Sequence, residues 1–269
     1  MFERRDEVRI TRYRFTTETT PQMSRYNTSE PTVRQLTTAM EDAITGIYRL
    51  QETTDDRVST SALASALDVK PATISSMFTR LNEQELIERE KHRPVILTDA
   101  GERLALRILR HHRLLETFLV ECLGYGWEEV HDECDRLEHH ISPRFADALE
   151  SFLASPEVDP HGDPIPNENL EIETEHERVR LETVDTNVPV AVRRILTDDR
   201  DVLDFLTDAG LEPGNPVLVD ERFPIELLAV RTPTGRQQLP LSVAHIVEVA
   251  PVNEGSEVLA PLLGDSQHP

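Results

Sequence analysis

The order of two helices and a tight turn between residues 59 and 81 restricts the fold of this chain more than any other pattern. Ser59 or Thr60 caps a short predicted helix that ends near Leu67, and Pro71 begins a second helix after the turn. The second helix directs its apolar side chains inward at helical spacing. This arrangement is a helix-turn-helix, whose second helix lies in the major groove of DNA.

The segments on either side complete a winged helix. Apolar residues at helical spacing predict a first helix over residues 32–51. Two short strand-like runs within residues 86–98 are joined by a charged tip, which is typical of a wing. Residues 31–99 are therefore predicted to form a DNA-binding domain. Residues 1–30 are rich in arginine and show no stable periodicity, so we expect a loosely ordered arm.

The outward face of the second helix carries the side chains predicted to touch DNA. Small hydroxyl residues and one arginine face out, which permits close approach to base edges. Basic residues before this helix and on the wing are predicted to contact phosphates and fix the register. The predicted DNA-binding residues are Lys70, Thr73, Ser75, Ser76, Arg80, Arg89, Lys91 and Arg93. The alternative is a winged helix that makes only protein contacts.

The charge distribution agrees with a DNA-binding segment inside an acidic protein. The formal net charge of the chain is −22. Residues 57–113 nevertheless hold ten Lys and Arg against seven Asp and Glu, whereas residues 114–269 hold ten against 33. Lys70 and Lys91 are the only lysines in the sequence. A lysine-poor, carboxylate-rich surface suits a halophilic protein, kept soluble in a very salty cytoplasm.

The sequence lacks the signals of a secreted or membrane-spanning protein. Cys122 and Cys134 are too few for a disulfide framework, and the first residues do not resemble a secretory signal. No apolar run approaches the roughly 20 residues needed to span a bilayer. We therefore expect a cytoplasmic protein that makes no membrane contact.

The second half of the chain divides into a helical part and a β-rich part. Helices are predicted over residues 99–123, 128–141 and 143–153. Apolar runs at residues 190–196, 217–219, 227–230 and 244–249 predict a small β-rich barrel, with one short helix near 200–209. The predicted segments are a helical domain at 100–153, a proline-rich linker at 154–187, the barrel at 188–252 and a tail at 253–269.

Residues 131–140 are the richest in groups that bind metals. On a helix, His131, Asp135, Glu138 and His139 share one stripe, so this face of the helix could coordinate metal while the neighbouring face packs. Cys134 falls on a neighbouring apolar stripe and is predicted to be part of the core. Helical phase therefore favours Asp135 over Cys134 as a ligand.

A second cluster is predicted from the preceding helix. His112 and Glu116 are four residues apart and share a face, and they could complete a cluster with His131. Such residues can also be ordinary solvated helix charges. Two clusters on consecutive helices beside a winged helix favour a metal site.

The motifs as a set resemble a known family. The order winged helix, His112-x-x-x-Glu116, His131 and Asp135-x-x-Glu138-His139 is similar to the diphtheria toxin repressor family of iron- and manganese-dependent regulators. Residues 160–166 resemble the family's proline-rich segment. The likeness covers about residues 32–252, since the β-rich part resembles the SH3-like domain of the longer members.

The resemblance implies an α+β fold: an N-terminal winged helix-turn-helix, an all-α dimerisation domain and a C-terminal small SH3-like β-barrel. It implies a primary metal site of Asp42, Asp135, Glu138 and His139, and an ancillary site of His112, Glu116 and His131. In long members the SH3-like domain lends ligands to the ancillary site. Asp199 falls at one such position, and Val202 occupies the companion polar position.

The resemblance also implies a function, in which Mn(II) or Fe(II) acts as co-repressor and promotes binding of a homodimer to double-stranded operator DNA. Ligation by oxygen and imidazole alone suits either ion better than thiophilic metals. Asp42 and Asp135 stand where iron sensors usually place sulfur ligands, which favours manganese. Thr45 stands where manganese sensors with a close metal pair have a glutamate, and this difference argues against manganese.

Two other functions are compatible with parts of the sequence. A metallohydrolase could use the same carboxylates and histidines to activate water. The sequence has no His-Glu-x-x-His pair and no evident separate general base, and the DNA-binding module would be idle. The second is a winged-helix regulator whose charged helices only dimerise, without metal.

The predicted adaptation to salt can be tested by measuring solubility and thermal unfolding across a KCl series. We expect both the solubility and the melting temperature to rise with KCl concentration, because counterions screen the repulsion among the excess carboxylates. A stability maximum at low salt would contradict the interpretation.

Overall fold

The computed structural model describes four stretches of the chain: residues 36–54, 57–90, 93–172 and 178–252. The predicted arm, the predicted tail and the wing residue Lys91 lie outside these stretches, as does the predicted start of the first helix at residues 32–35.

The N-terminal unit is a winged helix-turn-helix, as predicted. Its elements are α1 (Thr38–Thr54), α2 (Thr60–Ala66), α3 (Pro71–Glu83), β1 (Ile87–Glu88) and β2 (Ile96–Leu97). The Ser59 hydroxyl accepts a hydrogen bond from the Ala62 amide and so caps α2. Pro71 begins α3, where a missing N–H leaves no intrahelical bond unmade. The two strands pair antiparallel and form the base of the wing.

A single apolar core joins this unit to the long helix that follows, α4 (Asp99–Phe118). Ile44 of α1 and Phe78 of α3 are fully buried in it, and Ile108 of α4 packs into the same cluster. Because α1 contacts both α3 and α4, a displacement of α1 is transmitted directly to α3.

The helical unit continues from α4. Its Thr98 cap accepts a hydrogen bond from the Gly101 amide, and α4 runs into a π-helical turn at Leu119–Leu123. The chain then reverses at Gly124, whose φ of +76° is left-handed. The remaining helices are α5 (His131–Leu137) and α6 (Pro143–Phe152).

Residues 155–172, predicted as part of a linker, have irregular backbone but are not an exposed tether. Asp159 and His161 are buried with 5% of their surface exposed. Arg113 of α4 anchors the loop, since its Nη1 donates a hydrogen bond to the Pro164 carbonyl at 2.5 Å. Buried polar groups require such partners, and the middle of the loop, residues 159–166, therefore packs into the protein while its two ends are exposed.

The C-terminal unit is an antiparallel sheet with two short helices. Its elements are β3 (Val179–Arg180), a 3-10 turn at Leu181–Thr183, β4 (Pro189–Ile195), α7 (Arg200–Asp208), β5 (Pro216–Phe223), β6 (Leu227–Thr232), β7 (Gly235–Pro240), α8 (Leu241–His245) and β8 (Val247–Pro251). The six strands have the order β3-β8-β4-β5-β6-β7. Alternating side chains of the strands form one core with α7 and α8.

The α+β class and the three-part architecture are confirmed, and two element predictions were wrong. The helix predicted over residues 128–141 is shorter, because residues 127–129 form a turn and α5 ends at Leu137. The strand predicted over residues 244–249 begins at Val247, because Leu241–His245 is helical. β7 has no apolar run in its sequence and was not predicted. No helix in the described part of the chain is long and apolar enough to cross a membrane.

The close contact between the 155–172 loop and β4 predicts an outcome for one substitution. Gly162 has a φ of +85°, and a Cβ there would lie 1.8 Å from the Arg193 carbonyl oxygen. We expect Gly162→Ala to lower the free energy of unfolding by about 3 kcal/mol, the upper end for single substitutions. Gly124→Ala is the control, since its φ is +76° but no atom lies within 4 Å, and about 1 kcal/mol is expected. Equal losses in denaturant unfolding would contradict a required close approach at Gly162.

Candidate metal centre

α4 provides the first two candidate ligands on one buried face. His112 and Glu116 are one helical turn apart, and their side chains are 4% and 2% exposed. His112 Nε2 lies 2.9 Å from Glu116 Oε1. A carboxylate and an imidazole this deeply buried need each other as partners.

α5 brings two more candidate ligands onto this face. His131 Nδ1 lies 3.1 Å from His112 Nε2 and 3.3 Å from Glu116 Oε1. Asp135 Oδ1 lies 3.5 Å from His112 Nδ1 and 3.7 Å from His131 Nε2. We call His112, His131 and Asp135 the histidine cluster; one potential ligand atom from each lies within 4.8 Å of the others.

A second group connects α1 to the turn after α5. Asp42 Oδ1 lies 3.0 Å from His139 Nε2, and Glu138 Oε1 lies 3.3 Å from the same nitrogen. These three residues form the helix-one cluster. Glu41 Oε2 lies 2.6 Å from His139 Nδ1, so both ring nitrogens face carboxylates of α1.

The division of these residues differs from the one that the family resemblance implies. Asp135 was assigned with Glu138 and His139, but it lies with His112 and His131. Glu138 keeps helical backbone geometry and its amide donates to the Cys134 carbonyl at 2.9 Å, so the helical phase holds as far as Glu138. Asp135 and Glu138 both approach His112 Nδ1, at 3.5 Å and 2.6 Å. The two groups still touch, because Glu138 Oε2 lies 2.6 Å from His112 Nδ1.

A third group was not predicted from the sequence. Glu116, Asp159 and His161 form the loop cluster, and all three are buried. His161 Nδ1 lies 3.7 Å from Glu116 Oε2, while Glu116 Oε1 faces the histidine cluster. Glu116 therefore belongs to both arrangements. Burial and the nearby carboxylate of Asp163 raise the pKa of Asp159 to about 8.

The C-terminal unit reaches the centre through Asp198. Asp198 Oδ2 lies 3.3 Å from His131 Nε2. The neighbouring Asp199, assigned as a possible ligand, points elsewhere: its carboxylate accepts a hydrogen bond from the Val202 amide and caps α7. Asp198 is the residue of this loop that approaches the candidate ligands.

The electrostatics of the centre favour protonated histidines when the carboxylates have no other partner. Burial would lower the pKa of His112, but the charge of Glu116 raises it to about 10. A hydrogen bond to Asp42 raises the pKa of His139 to about 10. Burial also opposes the charged form of His161, yet its contact with Glu116 raises the pKa to about 9. The positive charge of each protonated imidazole offsets the repulsion between the carboxylates beside it.

The donor set fits a divalent first-row ion. All candidate ligand atoms in the three clusters are carboxylate oxygens or imidazole nitrogens, which suit Mn(II) and Fe(II) better than thiophilic ions. Cys134 is fully buried in the apolar core beside α5, as predicted. Thr45 offers no carboxylate, and its hydroxyl donates to the Asp42 carbonyl at 3.0 Å.

Four residues of the centre were missed from the sequence: Glu41, Asp159, His161 and Asp198. The histidine in the Pro-His-Gly-Asp segment was visible as part of a family-like motif, and a histidine among prolines and acids is a usable signal. The other three approach their partners only through tertiary packing, which local spacing does not reveal.

α3 presents the predicted DNA-reading face. Thr73, Ser76 and Arg80 are exposed, Lys70 precedes the helix and is exposed, and Ser75 is half-buried. Short hydroxyl side chains with one arginine allow close approach to base edges.

One of the predicted phosphate contacts, Arg89, is engaged inside the unit, whereas Arg93 makes only an exposed ion pair. Arg89 Nη1 donates to the Ser75 carbonyl and to Thr79 Oγ1, both at 3.1 Å, and its guanidinium lies 5.4 Å from the centre of the Phe78 ring. These contacts fasten the wing to α3. Arg93 is exposed on the wing, where its Nη1 lies 3.0 Å from Glu90 Oε2.

Two family models match the chain. Residues 35–95 match the iron-dependent repressor N-terminal DNA-binding domain, and residues 98–167 match the iron-dependent repressor metal-binding and dimerisation domain. The second match includes the α4 and α5 ligands together with the 155–167 part of the loop.

Curated relatives and solved structures agree with these matches. The iron-dependent repressor IdeR of Mycobacterium tuberculosis is 34% identical over 71% of this chain and 87% of its own length. The HTH-type transcriptional regulator MntR of Oceanobacillus iheyensis is 38% identical over 39% of this chain and 71% of its own length. A solved manganese-dependent transcriptional repressor in complex with manganese has a TM-score of 0.73 and 34% identity, covering 79% of this chain and all of that one.

The raised histidine pKa values predict that metal binding releases protons. Because metal ligation requires unprotonated imidazole, bound ions must displace protons from His112 and His139, so affinity rises with pH up to the histidine pKa values of about 10. Calorimetry of Mn²⁺ binding in two buffers of different ionisation enthalpy measures the release. His139→Gln is expected to reduce it, whereas His140→Gln, at an exposed neighbour, leaves it unchanged. Binding without any buffer dependence would contradict the assigned protonation.

Proposed function

The chain belongs to the iron-dependent repressor family, and we propose that it is a metal-dependent transcriptional repressor that binds operator DNA as a homodimer with Mn(II) or Fe(II). The observation that carries the proposal is the contact between Asp42 of α1 and His139 beyond α5. It connects the DNA-binding unit to the helical unit through groups suited to a divalent ion.

The three clusters provide the ligands in this proposal. Asp42, Glu138 and His139 hold the ion nearest the DNA-binding unit, with Asp135 and His112 adjacent through Glu138. His131, Glu116, Asp159 and His161 provide a second set, and Asp198 extends it from the C-terminal unit. A bound divalent ion supplies positive charge that replaces the protons now separating these carboxylates.

α1 is the element through which these side chains affect DNA binding. Met40, Ile44 and Ile47 of α1 are fully buried against the helix-turn-helix, so α1 and α3 behave as one packed unit. Asp42 and Glu41 lie on the opposite side of α1 and face His139. Fixing α1 against His139 favours one position of α3, and by linkage DNA and metal then strengthen each other's binding.

DNA recognition is assigned to the exposed face of α3 and to the wing. The exposure of Thr73, Ser76 and Arg80 on α3 supports their assignment to base edges or phosphates. Lys70 and Arg93 are assigned to the phosphate backbone. Arg89 has a different part in this proposal, because its guanidinium fixes the wing to α3.

Dimerisation is assigned to the helical unit. Its exposed surface includes Leu123 at 58%, Phe145 at 46% and Phe152 at 40%, which is unusual for apolar side chains of this size. The ring of Phe118 contacts that of Phe152. Covering this surface with a second copy would place two α3 helices for successive half-sites of an operator.

The DNA-binding domain comprises residues 31–99, the metal-binding and dimerisation domain adds the 155–172 loop to residues 100–153, and the C-terminal domain begins with β3 at Val179. Manganese and iron both remain candidates, since named relatives respond to each. Relatives are named as transcriptional repressors, which disfavours the metallohydrolase alternative. A cytoplasmic location follows from a DNA partner.

The proposal predicts that metal controls DNA affinity. A DNA fragment selected from random sequence by the Mn²⁺-loaded protein is titrated in high KCl with Mn²⁺, Fe²⁺, Zn²⁺ or chelator. Mn²⁺ or Fe²⁺ is expected to raise affinity on the order of tenfold or more, the usual size of such coupling.

Matched variants of acidic residues test the ligands. Asp42→Ala and Asp135→Ala are expected to abolish most of the metal effect, because each removes a carboxylate from a cluster. Asp132→Ala is the control, since Asp132 is exposed on the same helix as Asp135. DNA binding that is unchanged by chelator, or by Asp135→Ala, would sink the proposal.

A further inference from the structure

The single tryptophan of the chain lies at the junction between the helical unit and the C-terminal unit. Trp127 precedes α5 in the sequence, but its side chain is 8% exposed and packs in the core of the C-terminal sheet. A large ring buried in the core of a different unit fixes the position of the backbone that carries it.

A hydrogen bond fixes the orientation of the indole ring within this core. Trp127 Nε1 donates a hydrogen bond to Thr207 Oγ1 of α7 at 2.8 Å. The Thr207 hydroxyl in turn donates to the Leu203 carbonyl at 3.0 Å. The indole N–H therefore has a partner whose own orientation is fixed by α7.

The backbone of Trp127 contacts the loop cluster. Its carbonyl accepts a hydrogen bond from His161 Nε2 at 2.8 Å, and the two rings lie 5.4 Å apart. This bond places a proton on Nε2, so Nδ1 is the nitrogen that faces Glu116 Oε2. In metal sites, a hydrogen bond to the second ring nitrogen fixes the orientation and tautomer of a histidine ligand.

His161 is also tied to the C-terminal sheet by its own backbone. The Ile195 amide of β4 donates to the His161 carbonyl at 2.8 Å. His161 is thus held from both sides by elements that belong to or pack in the C-terminal unit. The orientation of one candidate ligand depends on how that unit is docked.

We propose that Trp127 is a positioning residue that orients His161 and thereby couples ion binding at the loop cluster to docking of the C-terminal unit. The inference rests on the proposed function, because it presumes a metal-binding loop cluster. The coupling is reciprocal, so an ion bound to His161 stabilises docking of the C-terminal unit. A loosened junction lowers the affinity of the loop cluster for its ion and leaves the affinity of the helix-one cluster unchanged.

The tryptophan itself provides the first readout. In the full chain, Mn²⁺ is titrated while the emission of Trp127 is followed, with calorimetry in parallel to count all bound ions. We expect a saturable change in emission that His161→Gln abolishes and His139→Gln preserves, because His139 lies in the helix-one cluster. An emission change that persists in both His161→Gln and His139→Gln would overturn the proposal. So would the absence of any emission change in the wild-type chain when calorimetry shows that ions bind.

Substitutions at Thr207 provide the second readout. Thr207→Val removes the hydroxyl at nearly constant volume, whereas Thr207→Ser keeps it. We expect Thr207→Val to lower the ion affinity measured by Trp127 emission about tenfold, as substitutions of other groups that orient metal ligands do. Thr207→Ser should bind the ion with the affinity of the wild-type chain. The ion held by the helix-one cluster should bind with unchanged affinity.

Amide exchange at Ile195 separates coupling from ordinary packing. In the wild-type chain Mn²⁺ should slow exchange of this amide, because its acceptor is the His161 carbonyl. Thr207→Val should lose that metal-dependent protection and Thr207→Ser should keep it. A purely structural role would make exchange in Thr207→Val faster by the same factor with and without Mn²⁺, which would refute the proposal.

The two hypotheses fail in different ways. If calorimetry finds no bound Mn²⁺ and DNA affinity does not respond to it, the proposed function is wrong. If Mn²⁺ binds and stimulates DNA binding but the Thr207 variants behave alike, the function stands and the coupling through Trp127 is wrong. If Thr207→Val misfolds, the wild-type exchange measurement still decides: exchange at Ile195 that Mn²⁺ leaves unchanged, although the ion binds, overturns the coupling.

Discussion

The contact of His112 with two glutamates is the interaction on which the centre of this protein depends. Its ring nitrogens lie 2.9 Å from Glu116 and 2.6 Å from Glu138, and all three side chains are at least nine-tenths buried. Charges that lose water to this extent are stable only when paired. His112 therefore fixes the position of α5 and of the turn after it against α4. The positions of the helix-one cluster and the loop cluster depend on this contact.

The parts of the molecule that were predictable are those encoded by local spacing. The cap at Ser59, Pro71 at the start of α3 and the apolar periodicity specify a helix-turn-helix over a short range. His112 and Glu116 were recognisable as a pair because a four-residue interval on a helix places two side chains together. For the same reason Cys134 was correctly placed in the core.

The parts that were not predictable depend on where elements end and what packs against them. Asp135 was grouped with Glu138 and His139 by the family resemblance, whereas in the structure its carboxylate lies beside His112 and His131. Asp198 and Asp159 come from loops that meet α4 and α5 only after the three units pack, so no sequence interval relates them to their partners. Arg89 illustrates the same limit, because its charge predicts a phosphate contact while its neighbours in space use the guanidinium internally.

The shared carboxylates have a consequence for genetic dissection of this centre. Glu138 has one oxygen near His139 and the other near His112, and Glu116 similarly faces two clusters. A substitution at either glutamate removes a donor from two places, so its phenotype cannot be assigned to one ion and will not add to that of a neighbour. Asp42 and Asp198 lie at opposite ends of the connected clusters, where Asp42 contacts His139 and Asp198 contacts His131. Alleles at those end positions are the ones that separate the contributions of individual sites.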